Sequence, residues 1–559
     1  MKKFFLFCVL IIAYFELSFA GTNFFTVNAD QFQLESDDRG ELIVKFTLPP
    51  YQIISEQVGN IEYQKIDIMD TSEILEIGKP DLPIFTTLLS IPETGNPELT
   101  ILSVTEEYLS DFLAYPQQEL ISESNLNRNN FVIDDNYYSS NEIFPIDQTE
   151  LSAPMIMRDQ RLVALTFQPF RYDPASRELI INKEIRVKIQ TTGNGGENTI
   201  TVSRDKSSFF DKIYRSVILN YDNFQGRETF QKPSYLFIYP NNSEVETYLN
   251  ILTEWKHQKG FEVTAVNTTI TGSNINSIKS YIQNAYFTWE NPPEFVCLVG
   301  DAGGSFNIPT GHFMGGWYNG EGDHFFTTID GNDEISDIMI GRLSFNSLTE
   351  LQTIINKILN YERTPYMVET NWYDKAVLIG DPTSSGPSTV DTKLSVHQMI
   401  TEHNSNIGCT EVFNGPWVSQ MSTNINNGVS YFNYRGFGGM SGWTTNDIQN
   451  LNNGFRLPVA VALTCNTGDF EGTSDCISEK FLKAGTPSSP KGAIAAISTA
   501  TGNTHTCFNN CMDAGIYYGI FADQIYNMGG ALNRGKINLL LNYPQNPDYF
   551  VTKFSYWNN

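Results

Sequence analysis

The pattern of hydrophobic and polar positions divides the chain near residue 232. From about 21 to 225, short segments rich in Val, Ile and Phe alternate with turn residues, which is typical of β strands. The clearest of these segments are 41–48, 82–91, 161–171 and 178–190. The last two are joined by Asp173-Pro174-Ala175-Ser176, which predicts a hairpin turn. We therefore expect an all-β N-terminal domain.

Beyond residue 232, continuous apolar segments alternate with helical patterns. These segments are 235–239, 295–299, 376–379, 458–463 and 493–497. They indicate buried parallel strands joined by crossover helices. Two of the helices are predicted to start with capping boxes, Ser243 with Glu246 and Ser347 with Glu350. The pattern predicts an α/β domain, in which ligands bind beyond the carboxyl ends of the strands.

The N-terminus has the pattern of a secretory signal peptide. Lys2 and Lys3 precede the apolar run 4–15, and Ala20 ends a small-x-small cleavage pattern. A membrane anchor is the alternative, but the run is shorter than the ~20 residues that span a bilayer. We expect a protein that is secreted or at the cell surface, with no transmembrane segment after the signal peptide.

Charge and composition narrow the choice of partners. Acidic residues outnumber basic ones 63 to 36, for a formal net charge of −27. A field of this sign repels phosphate backbones, so nucleic acid is excluded as an expected partner. The hydrophobic fraction of 41% is ample for packed cores in a chain of 559 residues.

Two consecutive predicted strand ends carry candidate chemistry. The predicted strand 429–434 is followed by a glycine-dense turn, 435–443, and the strand 458–463 is followed by Cys465. A cysteine at this position could act as a nucleophile, with its own N–H and that of Gly438 holding an oxyanion. The alternative is a buried cysteine that packs as a small hydrophobic residue.

Several motifs in order along the chain resemble the gingipain family of cysteine peptidases, the C25 peptidases. Between about 232 and 540 they are Cys297-Leu-Val-Gly-Asp301, Ile340-Gly-Arg342, the run 434–443, Leu463-Thr-Cys-Asn-Thr-Gly-Asp-Phe470 and the run 492–499. The N-terminal half, with its segments 78–83 and 171–180, resembles the propeptide that precedes this peptidase domain.

The resemblance implies a multidomain chain in which a β-rich propeptide-like domain precedes a caspase-like α/β domain with a mostly parallel sheet. The expected divisions are a signal peptide at 1–20, a propeptide-like domain at 21–230 and a peptidase domain at 231–545, with subdomains at about 231–366 and 367–545. Cys465 takes the position of the family nucleophile. The expected partners are a protein or peptide substrate and the chain's own propeptide. No cofactor is required.

One departure from the family pattern concerns the general base. Where well-known members have histidine in a Gly-His-Gly turn, this chain has Phe437. A phenyl ring cannot accept a proton, and a thiol with no base or cation beside it is only a few per cent thiolate at neutral pH. Two functions stay open: a secreted cysteine-type endopeptidase, or a catalytically inactive homologue that acts as a surface or peptide-binding protein.

His505 and Asp381 are the candidates that could compensate for the missing base. His505 follows the strand 493–497, at the next strand end after Cys465, and is a tentative general base; the alternative is a loop histidine bonded to backbone. Asp381 lies where the family has an acidic residue near the catalytic histidine. Since Asp-Pro is a strong turn signal, Asp381 could instead cap the turn that follows it.

Substrate contacts are predicted less directly. Trp443 and Met440 could wall a substrate cleft, or could simply pack in the core. The position aligned with the acidic residue that selects Arg in some family members falls near Lys393, so we expect no such preference. If the chain is a zymogen, cleavage at Arg227 or Lys232 would release the mature domain.

A possible structural calcium site lies in the acidic loop 321–337. Asp323, Asp330 and Asp333 are the candidate ligands, because carboxylate oxygens suit Ca²⁺. The spacing does not fit the twelve-residue calcium loop. The alternative is a solvated acidic turn.

Overall fold

The structure is a computed structural model that describes residues 30–38, 40–68, 71–123, 130–221, 229–315, 318–472 and 474–544. The predicted signal peptide at 1–20 and the candidate processing residue Arg227 lie outside these residues. Lys232 is described and exposed.

The N-terminal half is built mainly of β strands. In chain order they are β1 (Phe32–Asp38), β2 (Glu41–Thr47), β3 (Gln52–Val58), β4 (Ile61–Asp67), β5 (Ser72–Glu73), β6 (Pro83–Ser90), β7 (Asn96–Leu109), β8 (Thr149–Leu151), β9 (Met155–Met157), β10 (Gln160–Phe167), β11 (Phe170–Asp173) and β12 (Glu178–Thr192). Two helices accompany them, α1 (Asp135–Tyr138) and α2 (Ser208–Val217).

These strands form two antiparallel sheets and a separate hairpin. One sheet has the order β1-β2-β12-β11 with β7 also beside β12, and the other has the order β5-β6-β10-β8 with β9 also beside β10; β3 pairs with β4. The aromatic rings of Phe46, Phe85 and Phe167 pack between the two sheets, with Phe46 and Phe167 stacked at 4.9 Å. The expectation of a β-rich N-terminal domain is confirmed.

The predicted strand 161–171 is divided between the two sheets, which corrects the sequence prediction. β10 ends at Phe167 and β11 begins at Phe170. Pro169 lies between them, and a proline has no N–H to donate to a ladder. The predicted hairpin is β11 with β12, and its turn is held by Asp173 Oδ1, which accepts the Ala175 N–H at 2.9 Å.

The first part of the α/β half contains a four-stranded parallel sheet of order β14-β13-β15-β18. Its strands are β13 (Ser234–Tyr239), β14 (Glu262–Asn267), β15 (Phe295–Val299) and β18 (Met339–Leu343), with a hairpin of β16 (Gly311–Gly315) and β17 (Tyr318–Gly322). Its helices are α3 (Ser243–Gln258), α4 (Thr268–Thr271), α5 (Ile275–Thr288) and α6 (Leu348–Glu362).

The capping box of Ser347 and Glu350 at the start of α6 is confirmed. At α3 the predicted cap is wrong by one residue. The Asn242 side chain accepts the first free N–H groups, and Ser243 is already helical.

The last part carries a five-stranded parallel sheet of order β20-β19-β21-β22-β25. Its strands are β19 (Lys375–Gly380), β20 (Gly408–Val412), β21 (Tyr431–Arg435), β22 (Val459–Leu463) and β25 (Ala495–Ser498), beside a small pair β23 (Gly485–Thr486) and β24 (Ser489–Pro490). Its helices are α7 (Pro382–Ser385), α8 (Ser388–His403), α9 (Trp417–Asn427), α10 (Thr445–Gln449), α11 (Ile477–Lys483), α12 (Thr506–Phe521) and α13 (Met528–Asn542).

The order of this second sheet places the carboxyl ends of β21, β22 and β25 side by side. These strands are buried, which is why they appear in the sequence as continuous apolar runs. The residues that follow them meet at one edge of the sheet. None of the helices among the described residues combines the length and the apolar character needed to cross a bilayer.

Candidate functional site

Cys465 lies at the carboxyl end of β22 and is 6% exposed. Its sulfur accepts the backbone N–H of Thr504 at 3.3 Å and lies 3.2 Å from the Thr504 hydroxyl oxygen. Thr504 follows β25, the neighbouring strand of the sheet. The thiol is therefore held between two strand ends.

Gly438 belongs to the glycine-dense turn after β21 and lies against Cys465. A Cβ added to Gly438 would be 3.4 Å from the Cys465 Cβ and 3.6 Å from the carbonyl oxygen of Glu123. The Gly438 N–H donates to that same carbonyl oxygen at 3.2 Å. The N–H predicted to stabilise an oxyanion is thus bonded to a peptide carbonyl from the N-terminal half of the chain.

The segment 121–123 lies extended along residues 504–506. The Glu123 N–H donates to the Thr504 carbonyl at 2.8 Å, and the Thr506 N–H donates to the Ile121 carbonyl at 2.9 Å. Ser122 and His505 form an antiparallel bridge between these bonds. The N-terminal half therefore adds a short strand to the edge of the cleft, which is how many domains bind extended peptides.

The Glu123 side chain is completely buried and its carboxylate is surrounded by donors. One oxygen forms an ion pair with the guanidinium of Arg435. The other accepts from the Asn509 side-chain amide at 2.7 Å and from the Thr504 hydroxyl at 3.3 Å. Asn509 also donates to the Thr504 hydroxyl at 2.8 Å, which orients that hydroxyl toward the carboxylate.

Arg435, the last residue of β21, is fixed by groups of the α/β half. Its Nε donates to the Asn510 side chain at 2.9 Å, and its terminal nitrogens donate to the carbonyls of Thr506, at 3.2 Å, and Leu463. Its side chain is completely buried. The guanidinium is therefore held in place independently of Glu123.

The Cys465 sulfur contacts Thr504, the residue before the tentative base His505. His505 precedes α12, and its ring lies 5.9 Å from the ring of Phe508. Because successive side chains of an extended segment point to opposite sides, Thr504 reaches the sulfur and its neighbour does not. The tentative base is thus one residue away from the position that contacts the nucleophile.

Asp381 lies beside the glycine turn and caps α7. Its Oδ1 accepts the Thr383 N–H at 2.9 Å, and its Oδ2 accepts the Ser441 hydroxyl at 2.5 Å. Ser441 also bonds the hydroxyl of Tyr434 at 2.8 Å, and burial raises the pKa of Tyr434. Asp381 therefore positions the turn that carries Phe437.

Met440 and Trp443 do not wall a cleft, which corrects that expectation. Both are buried in the core of the α/β half, Met440 at 0% and Trp443 at 1% exposure. The Trp443 ring packs against Phe432 and Phe481, and its N–H donates to Ser422 at 2.9 Å. Neither side chain has surface left for a substrate.

Each of the three candidate calcium ligands has other partners in the structure. Asp323 forms a two-point ion pair with Arg342 at 2.7 and 2.8 Å. Asp330 lies 3.6 Å from Arg204, and Asp333 accepts backbone N–H groups. Within the described residues, no group of three or more His, Cys, Asp or Glu side chains is arranged to hold a metal ion.

Lys393 is completely buried, in a polar pair with Asp513. Its Nζ lies 2.5 Å from the Asp513 carboxylate and also contacts the Asn433 side chain. Burial lowers the pKa of Lys393 to about 8, although Asp513 opposes this effect. Lys393 therefore joins α8 to α12 and β21.

Sequence reasoning missed four residues of the site: Glu123, Thr504, Asn509 and Arg435. Arg435 begins the glycine-dense turn 435–443, and a cation at a strand end is a signal that could identify it. Thr504 is adjacent to His505, the tentative base. Glu123 comes from the other half of the chain, more than 300 residues away, and no local pattern marks it.

Comparison with known proteins links both halves to one family. The profile of Peptidase family C25 matches residues 228–557, and that of Propeptide_C25 matches residues 25–228. Gingipain R2 of Porphyromonas gingivalis is 27% identical over 487 residues, which are 84% of this chain and 64% of that protein. The chain therefore spans less than two thirds of the length of this relative.

Two solved structures share the fold. The Arg-specific cysteine proteinase gingipain R matches with a TM-score of 0.52 and 21% identity, over 59% of this chain and 76% of that one. A complex of the pro- and mature domains of RgpB from Porphyromonas gingivalis matches with a TM-score of 0.53 and 22% identity, over 58% of this chain and 78% of that one. These two structures therefore share the fold over rather more than half of this chain.

Proposed function

Since the chain belongs to peptidase family C25 and carries that family's propeptide, we propose that it is a secreted cysteine endopeptidase held in a latent state, with Cys465 as its nucleophile. The observation that carries the proposal is the peptide carbonyl of Glu123 on the N–H of Gly438, beside Cys465. This is the placement that a scissile carbonyl needs. The leader at 1–20 supports secretion.

The reaction follows from this placement. The sulfur of Cys465 attacks the carbonyl carbon, an S–C bond forms, and the Gly438 N–H stabilises the negative charge on the oxygen. When the oxygen's electron pair returns, the C–N bond breaks and the amine leaves with a proton taken from water. Water then hydrolyses the thioester, releasing the acid and restoring the thiol.

The thiol proton has no acceptor at position 437, because the ring of Phe437 carries no basic atom. The proton must therefore pass to solvent before the attack. We expect a rate at neutral pH well below that of an enzyme with a histidine base, since such a base contributes about 10²–10⁴-fold. The rate should rise with pH as the thiolate fraction rises.

A second function is favoured by a specific observation. Among the described residues, the hydrogen-bond contacts of the Cys465 sulfur are both with Thr504, which is not a general base. A cleft with this arrangement could bind extended peptides along 504–506 without cleaving them. This is the inactive, peptide-binding homologue.

Cysteine labelling and hydrolysis on the same protein separate the two functions. The full chain without its leader, and its Glu123→Ala variant, would be treated with iodoacetamide between pH 5 and 9, and the modified cysteine identified by mass spectrometry. A quenched peptide library would be offered in parallel. Cys465→Ala is the control for both readouts.

The peptidase proposal expects the Glu123→Ala chain to be labelled at Cys465 faster than wild type and to hydrolyse the library in a manner lost with Cys465→Ala. If Cys465 is labelled but no hydrolysis exceeds the Cys465→Ala background at any pH, the binding function replaces the peptidase.

A further inference from the structure

The pocket that holds the Glu123 side chain is built for a negative charge. Arg435 supplies a cation, and the Asn509 amide and the Thr504 hydroxyl each donate a hydrogen bond to the carboxylate. A carboxylate accepts hydrogen bonds and donates none, so it satisfies all three groups at once. An amide or a cation in the same place would bring its own N–H donors against the donors of the pocket.

The positive charge belongs to the α/β half and stays there when the pocket is empty. Arg435 is anchored by Asn510 and by the carbonyls of Leu463 and Thr506, all after residue 230. Within the described residues, Glu123 is the one carboxylate paired with Arg435. The other buried cation nearby, Lys393, already has Asp513 as its counter-ion.

A buried guanidinium without a counter-ion is costly, because burial removes the water that would solvate it. Departure of Glu123 leaves Arg435 in this condition. A ligand that brings an acidic side chain restores the ion pair, whereas a ligand with a basic side chain adds repulsion. The pocket therefore discriminates by charge.

The Glu123 backbone shows which residue of a bound peptide would place its side chain in this pocket. The carbonyl of Glu123 accepts from Gly438 beside Cys465, and its N–H donates to Thr504. The side chain in the pocket thus belongs to the residue whose carbonyl lies at the thiol.

We propose that Arg435 makes this site selective for acidic residues, so that its substrates are peptides with Glu immediately before the bond that faces Cys465. The proposal rests on the proposed function, because it names the substrate class of the same site. Glu is favoured over Asp, since the longer side chain is the one that reaches Arg435, Asn509 and Thr504 together.

The first test measures binding without chemistry. The full chain without its leader would carry Glu123→Pro, which removes both the side chain in the pocket and the N–H that donates to Thr504, and Cys465→Ala to prevent reaction. It would be titrated into fluorescein-labelled Ile-Ser-Glu, Ile-Ser-Gln and Ile-Ser-Arg amides, followed by anisotropy. We expect the Glu peptide to bind at least about tenfold more tightly than the Gln peptide, because the Gln peptide lacks the carboxylate that accepts charge-assisted hydrogen bonds. The Arg peptide should bind most weakly.

Substitutions of Arg435 and Asn509 test whether these residues cause the preference for the Glu peptide. Arg435→Gln in the same background should abolish the difference between the Glu and Gln peptides. Asn509→Ala removes one donor and leaves the cation, so it should reduce the difference without abolishing it. The peptide comparison itself leaves Arg435 unchanged, so it decides the proposal even where Arg435→Gln does not fold. Equal binding of the Glu and Gln peptides overturns the proposal.

A hydrolysis arm separates this proposal from the peptidase proposal. The same three peptides, extended beyond the third residue, would be offered to the Glu123→Ala chain with Cys465 intact. A Glu preference in binding with no hydrolysis leaves the pocket assignment standing and removes the peptidase. Hydrolysis that is equally fast for Glu and Gln peptides retains the peptidase and overturns the acidic selectivity.

Discussion

The backbone N–H of Ile156 donates a 2.8 Å hydrogen bond to the carboxylate of Asp333, across the boundary between the β-rich half and the α/β half. Two residues further on, the Arg158 N–H donates to Asp337 at 2.9 Å. The acidic loop that suggested a calcium site is therefore an interface between the two halves of the chain. There the carboxylates of Asp333 and Asp337 bind backbone N–H groups.

The pH dependence of this interface can be tested at Asp333. Burial raises the pKa of Asp333 to about 7, and the nearby carboxylates of Glu334 and Asp330 add to the rise. An unfolded Asp titrates near ~3.9, so the folded chain holds an extra proton between these values. This contribution to stability is full below pH about 4 and is lost as the pH rises through about 7.

We expect the melting temperature of the wild-type chain to fall between pH 5 and pH 8 by at least about 2 °C more than that of Asp333→Asn, measured by calorimetry. Glu98→Gln, at an exposed position of β7, is the matched control and should follow wild type. Parallel curves for wild type and Asp333→Asn would remove Asp333 as the source.

Replacement of Phe437 by histidine should restore a proton acceptor. In the Glu123→Ala chain, Phe437→His is expected to raise peptide hydrolysis at pH 7 by about 10²-fold or more and to shift iodoacetamide labelling of Cys465 to lower pH. Phe437→Leu is the matched control, because it alters the ring without adding a base. Equal rates for the histidine and leucine variants would show that position 437 does not reach the thiol.

The buried pair of Lys393 and Asp513 should respond differently to single and double substitutions. Lys393→Met leaves the Asp513 carboxylate buried without a partner and should lower the free energy of unfolding by about 3–5 kcal/mol. The double variant Lys393→Met with Asp513→Leu should recover most of this loss, because both charges are gone. Urea unfolding measures both changes, and a double variant as unstable as the single one contradicts this account.

Asp381 should contribute to stability through its cap and its bond to Ser441. Asp381→Ala loses the oxygen that accepts the Thr383 N–H and the one that accepts the Ser441 hydroxyl, so we expect a loss of about 1–2 kcal/mol. Asp381→Asn keeps the capping oxygen and should lose less than half as much. Urea unfolding of the two variants tests this order, and an asparagine variant no better than alanine assigns the effect to Ser441 alone.

The sequence predicted the parts of the fold that depend on local patterns. Buried parallel strands are recognisable as continuous apolar runs, which is why 295–299 was predicted with the bounds of β15. The proline at 169 divided a predicted strand, since a missing N–H outweighs a continuous apolar pattern.

The sequence predicted those residues of the candidate site that directly follow strand ends. Cys465 and Gly438 follow neighbouring strands of one sheet, and the structure brings them together. In an extended segment, alternate side chains point to opposite sides. The sequence does not show which side faces the sulfur, and in the structure Thr504 is the residue that contacts it. Glu123 depends on how two halves of the chain dock, and docking has no periodic signature in the sequence.

Covalent continuity between Glu123 and Arg435 has a consequence for how the cleft responds to dilution. While both residues belong to one polypeptide, the occupant of the pocket has a fixed effective concentration, on the order of millimolar for a flexible connection. Adding buffer cannot empty such a site. Once the backbone between them is severed, occupancy becomes a bimolecular equilibrium. Dilution would then dissociate the ion pair that keeps the cleft occupied in an intact chain.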